Sequence, residues 1–593
     1  MNDWKRRIIF ILIFCLAASF RLYKLNWDEN QHLHPDERFL TMVSNETKIP
    51  KSLAVYFDPQ TSTLNPRNMG YDFFVYGNFP LIINKIVAVK LNNDNYHQLT
   101  IQGRFLSAIA DLLIVLLIYK TVALLEKKYK LDQTIKSWAA FIYAITVLPI
   151  QLSHFFATDT FLNLFVFASF YFALQFYLQK KRKSFILSAV FLSLGLASKI
   201  TAIFILPLNL ALILLAALDK KSLSLILIKQ QLKEITKNSN KKRIIKTMSQ
   251  NLSKLLVKII LYLVISYLIL RLVDPYLFAD KNLLNPKISP EFINNIKALK
   301  SWEGKDVFFP PAIQWINKKI VLFALTNLVF IGFGLPQFLL LLSGLVYLIK
   351  LIQNKKSGAR IFFIIINWIF IFFLYQSIQF IKALRYFIIL YPFMSFLAAI
   401  GANWLINRNF PKIQKEKKTL FLSLVLMIWP LMFMSIYIKQ HPRIKASEWI
   451  YKNLDNQSLI LNELWDDALP LLITNQEGKK FRGEMLAVFD PDSEEKWQKI
   501  KPLLEKADYY ILSSNRAWGS IPTVPEKYHQ TSKFYQQLFE EKLGYKKIAE
   551  FSSYPSLKYL GIPIEFNDDK VDETFTVYDH PKVMIFKNIR KKD

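Results

Sequence analysis

The chain has 593 residues, of which 52% are hydrophobic and 15% aromatic, and it carries a net charge of +31. Its Phe, Leu and Ile gather in long runs, which excludes an ordinary soluble protein, and its Lys and Arg cluster in short segments between those runs, which argues against a nucleic-acid binder. The single cysteine, Cys15, excludes an intramolecular disulfide and a cysteine metal cluster.

A bilayer span needs about 20 largely apolar residues, and the sequence predicts about eleven such spans. The first, about 7–25, follows Trp4-Lys5-Arg6-Arg7 and lacks a small-residue cleavage site, so it reads as a retained span. A polar segment then runs to about residue 99. Within it Phe79 to Leu91 is apolar but interrupted by Lys85 and Lys90, which predicts a helix lying in the membrane interface. Spans two to four fall at about 100–125, 137–154 and 160–179, the last two joined by the short turn His154 to Thr160. Spans five and six, about 184–199 and 201–218, turn at Lys199 and lead into a basic stretch of about 35 residues. Span seven is about 255–273. A second long polar loop runs from Asp274 to Lys319, and Ile320 to Ile331 reads as a short interfacial or re-entrant piece. The last four spans are about 334–352, 360–380, 386–406 and 419–438.

Charge sets the expected orientation. With the N-terminus inside, inner segments carry about 29 Lys and Arg against about six acids. The first outer loop, Arg21 to Thr100, holds eight of each sign, and all seven histidines fall on the outer side or at its edge. The expected fold is a mainly α, polytopic membrane protein in the plasma membrane, with its N-terminus cytoplasmic. A transmembrane part, 1–439, bears outer loops at 26–99 and 274–319. A soluble extracytoplasmic α/β domain, 440–593, follows it. In that tail Ser458 to Leu461, Tyr509 to Leu512 and Val583 to Phe586 read as strands. Ala446 to Tyr451 and Phe534 to Leu543 read as helices.

Charges at span ends are costly and mark candidate functional residues. The first outer loop contains His34-Pro35-Asp36-Glu37, an acidic pair behind a proline that disfavours helix at His34. Arg104 opens span two, with Asp111 seven residues on and on the same helical face. Asp159 and Lys199 lie in outer turns, and Lys382, Arg385 and Tyr386 precede span ten. These positions map to one membrane boundary, where carboxylates and cations suit transfer of a group from an anionic lipid. Structural roles compete with that reading. Arg104 and Asp111 could pair within the membrane, Lys199 and Lys382 could snorkel to headgroups, and Asp159 could cap its helix. His32, His34 and Asp36 could hold a metal, although short His-x-His runs in polar loops are seldom ligands. Trp465-Asp466-Asp467 and Tyr578-Asp579-His580-Pro581 read as turns of the tail.

Six short motifs, in order, carry a resemblance: His34-Pro35-Asp36-Glu37, Tyr76-Gly77-Asn78-Phe79-Pro80, Gly103-Arg104-Phe105-Leu106-Ser107, Ala157-Thr158-Asp159, Ala197-Ser198-Lys199, and Arg385-Tyr386 with Tyr391-Pro392. Over roughly residues 1–440 the chain resembles the GT-C class of membrane glycosyltransferases, on the branch of protein O-mannosyltransferases and the bacterial aminoarabinose transferase. The resemblance implies inverting transfer of a hexosyl or pentosyl group from a polyprenyl-phosphate-linked donor to an extracytoplasmic glycan, lipid or protein. By match to the first-loop motif, Asp36 would be the catalytic base, and Glu37 would hold substrate or orient Asp36. Substrate contacts are expected at His34, Arg104, Asp159, Lys199, Arg385 and Tyr386. Such chemistry needs no cofactor and, with a monophosphate leaving group and several cations, no divalent metal. The tail matches neither branch. The rival reading, a transporter or flippase of lipid-linked substrates, would call for inverted repeats, and the sequence contains no evident one.

Overall fold

Each of the eleven apolar runs becomes a helix or a broken helix pair in the computed structural model, which describes residues 3–590 apart from 218–240, 305, 307, 354–358, 409–412, 475 and 477. Most of the expected basic stretch after span six lies outside the described residues. The helices are α1 (Asp3–Leu22), α2 (Pro35–Glu46), α3 (Phe79–Lys90), α4 (Tyr96–Tyr129), α5 (Ile135–Ala144), α6 (Val147–Ser153), α7 (Thr158–Gln179) and α8 (Arg182–Leu196). They continue with α9 (Leu206–Ala217), α10 (Lys241–Val273), α11 (Leu335–Gln353), α12 (Ala359–Ile378), α13 (Tyr391–Asn407) and α14 (Lys415–Ile438). Of these, α2 and α3 belong to the first polar segment, and α3 sits where the interface helix was expected.

Among the described residues seven helices are long and apolar enough to cross a membrane, or eight if α5 and α6, bent by 54° at Ile145 and Thr146, form one span. Of the eleven expected spans, seven or eight meet that length and hydropathy among the described residues. Helix α8 has 15 residues, and α9 follows a 3-10 segment at Ile200–Ile205 and is described as far as Ala217. The first helix places Asp3, Lys5, Arg6 and Arg7 in its opening turns. The run at 320–331 becomes a short helix, Leu322–Asn327, that widens into a π turn at Leu328–Gly332.

Burial ranks the helices. The apolar window of α7 is 78% buried and that of 384–407, which contains α13, is 83% buried, against 22% for Leu252–Val273. Helices α7 and α13 thus form the centre, and α10 turns its Leu, Ile and Val outward, as a lipid-facing helix must. Helices α11 and α13 touch through glycines: a Cβ on Gly401 would lie 2.0 Å from Leu340 O, and one on Gly344 would lie 2.1 Å from Leu397 O.

The tail forms a five-stranded sheet in the order β2-β1-β3-β5-β4, with β1 (Leu459–Glu463), β2 (Arg482–Leu486), β3 (Tyr509–Leu512), β4 (Tyr545–Phe551) and β5 (Val583–Asn588). Strands β2, β1 and β3 run parallel, and β5 is antiparallel to β3 and β4. Helices α15 (Pro442–Asn453), α16 (Glu494–Lys506) and α17 (His529–Phe539) accompany it. The three strands read from sequence are the buried ones. Strands β2 and β4 are largely exposed, so they carry no continuous apolar run.

The sheet is tied to one end of the bundle. Arg38 Nη2 donates to Asp467 at 3.0 Å, and Gln31 Nε2 donates to Leu472 O at 3.0 Å. Phe575, Val577 and Tyr578 of the tail pack into the bundle's own core. At that same end the Tyr76-Gly77-Asn78-Phe79 loop lies on the Ala197-Ser198-Lys199 turn. Gly77 N donates to Ser198 O at 3.1 Å, Phe79 N donates to Ala197 O at 3.0 Å, and a Cβ on Gly77 would lie 2.1 Å from Ala197 O.

Candidate active site

The acidic loop is fixed from both sides. Pro35 opens α2, and His34 Nδ1 caps it by accepting from Glu37 N at 3.2 Å. Burial holds the imidazole down at about 4, so it stays neutral and able to accept. Its ring packs 4.5 Å from Phe155 and 4.2 Å from Tyr578 of the tail. His34 is almost fully buried behind the cleft described below and does not line it.

Glu37 and Arg104 form a buried anchor. Arg104 Nε donates to Glu37 Oε2 at 2.9 Å and Nη2 to Oε1 at 2.5 Å. The same guanidinium donates to both oxygens of Asp28, at 3.0 and 2.7 Å, and to Leu25 O at 2.7 Å. These contacts engage all five N–H groups of the arginine, and it is fully buried. Phe156 N adds a bond to Glu37 Oε2 at 2.7 Å, and Gly103 leaves room for the Phe156 ring, since a Cβ there would lie 2.2 Å from it. Burial pushes the Glu37 carboxyl up, against the opposing pull of Arg104. Asp111 is not the partner of Arg104, as the shared helical face suggested. It accepts from Arg21 Nε at 2.5 Å and from Tyr143 Oη at 2.5 Å.

Asp36, one residue before Glu37, faces the other way. Its side chain is 26% exposed and pairs with Arg385 Nη1. Burial would raise its carboxyl, but the Arg385 guanidinium, helped by His34 and Lys199, outweighs that and holds it at about 2. Asp159, in the first turn of α7, accepts from Lys199 Nζ at 2.8 Å. Lys199 and Arg385 lie over the same ring, 4.9 and 5.6 Å from the centroid of Tyr386. Asp36, Asp159, Lys199, Arg385 and Tyr386 all line one cleft of about 540 Å³. One wall is apolar, with Leu162, Ile200, Phe372, Tyr375 and Ile389. The other is built by the 290–320 segment and the tail, with Trp315, Trp465, Arg516, Glu573 and Tyr578. Lys382 is buried, donates to Phe380 O at 3.1 Å and does not line the cleft.

Sequence reasoning thus brings five of its candidates to one cleft and misses the tail's share. Arg516 Nε donates to Glu573 Oε1 at 2.9 Å, and burial, opposed by Arg516, pushes Glu573 up to about 7. Trp465, read as a turn residue, does occupy a turn, with φ of 80°, and leaves its indole partly exposed at the cleft. The one available signal was the cluster Phe575, Val577 and Tyr578, which is more apolar than a surface turn requires. Among the described residues no group of three or more His, Cys, Asp or Glu could hold a metal ion. His32 instead stacks on His97, with Nε2 2.8 Å from Nδ1 of that ring.

The fold is similar to that of GT-C membrane glycosyltransferases, the class the sequence resembles. The model of the dolichyl-phosphate-mannose-protein mannosyltransferase family matches residues 96–229, which include Arg104, Asp159 and Lys199. Among solved structures, the apo oligosaccharyltransferase of Archaeoglobus fulgidus superposes with a TM-score of 0.50 at 12% identity, covering 99% of this chain and 89% of its own. ArnT from Cupriavidus metallidurans, bound to undecaprenyl phosphate, gives 0.44 at 13% identity, covering 86% of this chain and 93% of its own. No curated protein matches the sequence.

Proposed function

We propose that the protein is an inverting glycosyltransferase that moves a sugar from a polyprenyl-phosphate-linked donor to a hydroxyl group of an acceptor at the end of the bundle bearing the C-terminal domain. The observation that carries this reading is one cleft in which Asp36, the cations Lys199 and Arg385, and an apolar wall meet. The match of residues 96–229 to a family named for a lipid-phosphate sugar donor supports it. The apolar wall suits a polyprenyl chain, and Arg385 and Lys199 suit its phosphate. Asp36 takes the acceptor hydroxyl proton as the acceptor oxygen attacks the anomeric carbon, and the cations stabilise the charge that develops on the departing phosphate. Arg104 acts at one remove: with its five donors engaged, it holds Glu37 and so the start of α2 that presents Asp36. His34 fits the same supporting role.

Residues 1–439 form the transferase part and 440–593 a tail that completes the cleft wall. By the charge sorting, the N-terminus is cytoplasmic and this end of the bundle is outside. The transport reading has less support, since the charged pairs of the cleft gather at one end rather than mid-bundle. The test is mass analysis of what purified protein in lipid transfers from polyprenyl-phosphate sugars to glycan, lipid and peptide acceptors. A new glycosidic product is expected. Intact donor with every acceptor, from protein that is folded, overturns the reading.

A further inference from the structure

Of the four cations that line the cleft, Lys199 and Arg385 are the two beside Tyr386, and each is held by a carboxylate. Arg385 donates to Asp36, and Lys199 donates to Asp159 at 2.8 Å. A phosphate cannot take these cations at full strength while the carboxylates keep them, and Asp36 is a weak base while Arg385 neutralises it. An exchange of partners satisfies both requirements. Arg385 is only partly used, because its Nε is buried and meets no acceptor. Lys199 and Arg385 lie 4.9 and 5.6 Å from the Tyr386 ring centroid, so both border the same part of the cleft.

We propose that the donor phosphate switches on the base by ion-pair exchange: it draws Arg385 from Asp36 and Lys199 from Asp159, so that the carboxylate which accepts the proton is released only when donor is in place. This rests on the reading of the site as a lipid-phosphate sugar transferase. The bound donor is a phosphodiester with one negative charge, and Arg385 is shared between it and Asp36. As the bond from the anomeric carbon to the phosphate oxygen breaks, its electron pair leaves with the phosphate. The leaving group gains negative charge and takes the guanidinium over. Asp36 loses its counter-ion as the acceptor hydroxyl gives up its proton, and that proton moves to Asp36 while the new carbon–oxygen bond forms. The products are the glycosylated acceptor, polyprenyl phosphate and a protonated Asp36, which balances charge and atoms. Without donor, Asp36 remains locked, so acceptor alone is not activated.

Because phosphate and carboxylate compete for the same cations, weakening one strengthens the other. The probe is undecaprenyl phosphate, titrated into the full-length protein in lipid nanodiscs. Asp36→Asn, inactive as a base, is expected to bind it tighter than wild type, on the order of tenfold, and Asp159→Asn should bind it tighter through Lys199. Arg385→Gln should lose most of the affinity. If both Asn variants bind as wild type does or more weakly, while Arg385→Gln loses affinity, the exchange is overturned and the phosphate site stands. Should wild type not bind the probe, or Arg385→Gln bind it equally well, the lipid-phosphate reading itself falls. Folding is checked by thermal melting. If Asp36→Asn does not fold, Asp159→Asn carries the same comparison at the second ion pair.

Discussion

Arg104 grips both carboxylate oxygens of Glu37, Nε to Oε2 at 2.9 Å and Nη2 to Oε1 at 2.5 Å, from a helix 67 residues further along the chain. The arginine lies in the third turn of α4 and the glutamate in the first turn of α2, so this one pair sets the first outer loop on the bundle. It also sorts two adjacent acids into different roles, since Glu37 is turned inward and Asp36 into the cleft.

Glu37→Gln should therefore act on stability before it acts on chemistry. It leaves Arg104 with one carboxylate fewer in a fully buried site, and breaking a buried pair costs about 3–5 kcal/mol, here reduced by the remaining Asp28. A large drop in melting temperature is expected, with turnover per folded molecule changed far less. An unchanged melting temperature with lost turnover would make Glu37 a catalytic group instead.

Asp36→Asn should do the reverse. The side chain is partly exposed, and the cap of α2 is supplied by His34, so the fold should survive. Turnover should fall by about 10²–10⁴-fold if base catalysis alone is lost. The measurement is sugar transfer by purified variant beside its thermal melt. Full activity would exclude Asp36 as the base.

How much of this was legible follows from which residues are costly where they stand. Asp159, Lys199 and Arg385 are charges at the ends of apolar runs, and that cost marks them in sequence alone, whereas Asp36 is marked by the acidic pair behind Pro35 in the first outer loop. The pairing was not legible. Arg104 and Asp111 share a helical face, but about 10 Å of helix separates them, and each takes a nearer partner from another element. The tail's share stayed hidden for a different reason. Phe575, Val577 and Tyr578 bury themselves in the bundle from a short irregular segment, which has neither the period of a helix nor that of a strand. Strands β2 and β4 were missed because their exposed faces dilute the apolar pattern.

The tail's own core carries a pH dependence. Glu463 on β1 accepts from Tyr510 Oη at 2.6 Å and Tyr535 Oη at 2.5 Å through Oε1, while Oε2 is buried without a partner. Burial, opposed by those two hydrogen bonds, pushes the acid up to about 7. The folded state then binds a proton that the unfolded chain has released between pH 4.5 and 7, so stability falls as pH rises through that window. The loss from this group is roughly 3 kcal/mol at higher pH. Glu463→Gln keeps an acceptor for both tyrosines and removes the titration. Its melting temperature, minus that of wild type, should rise across the same window, and a flat difference would refute the assignment.

His580 sits between two acids, Nδ1 2.5 Å from Asp579 and Nε2 2.9 Å from Asp568. Burial alone would lower it, but the two carboxylates dominate and push it up to about 10, so the ring is an imidazolium at neutral pH. Asp579 also accepts from Gln151 Nε2 at 3.0 Å and Tyr437 Oη at 2.9 Å, residues of the bundle. The cation therefore neutralises the joint between tail and membrane part. A raised folded-state value gives stability that is complete below about 6.5 and lost as pH climbs through about 10. His580→Asn removes the charge and leaves two buried carboxylates facing each other, a loss of about 3–5 kcal/mol. The expected outcome is a tail that proteases release at neutral pH from protein whose bundle stays folded, as wild type should do only near pH 10. Equal protease resistance of variant and wild type at neutral pH would mean that the imidazolium does not hold the joint.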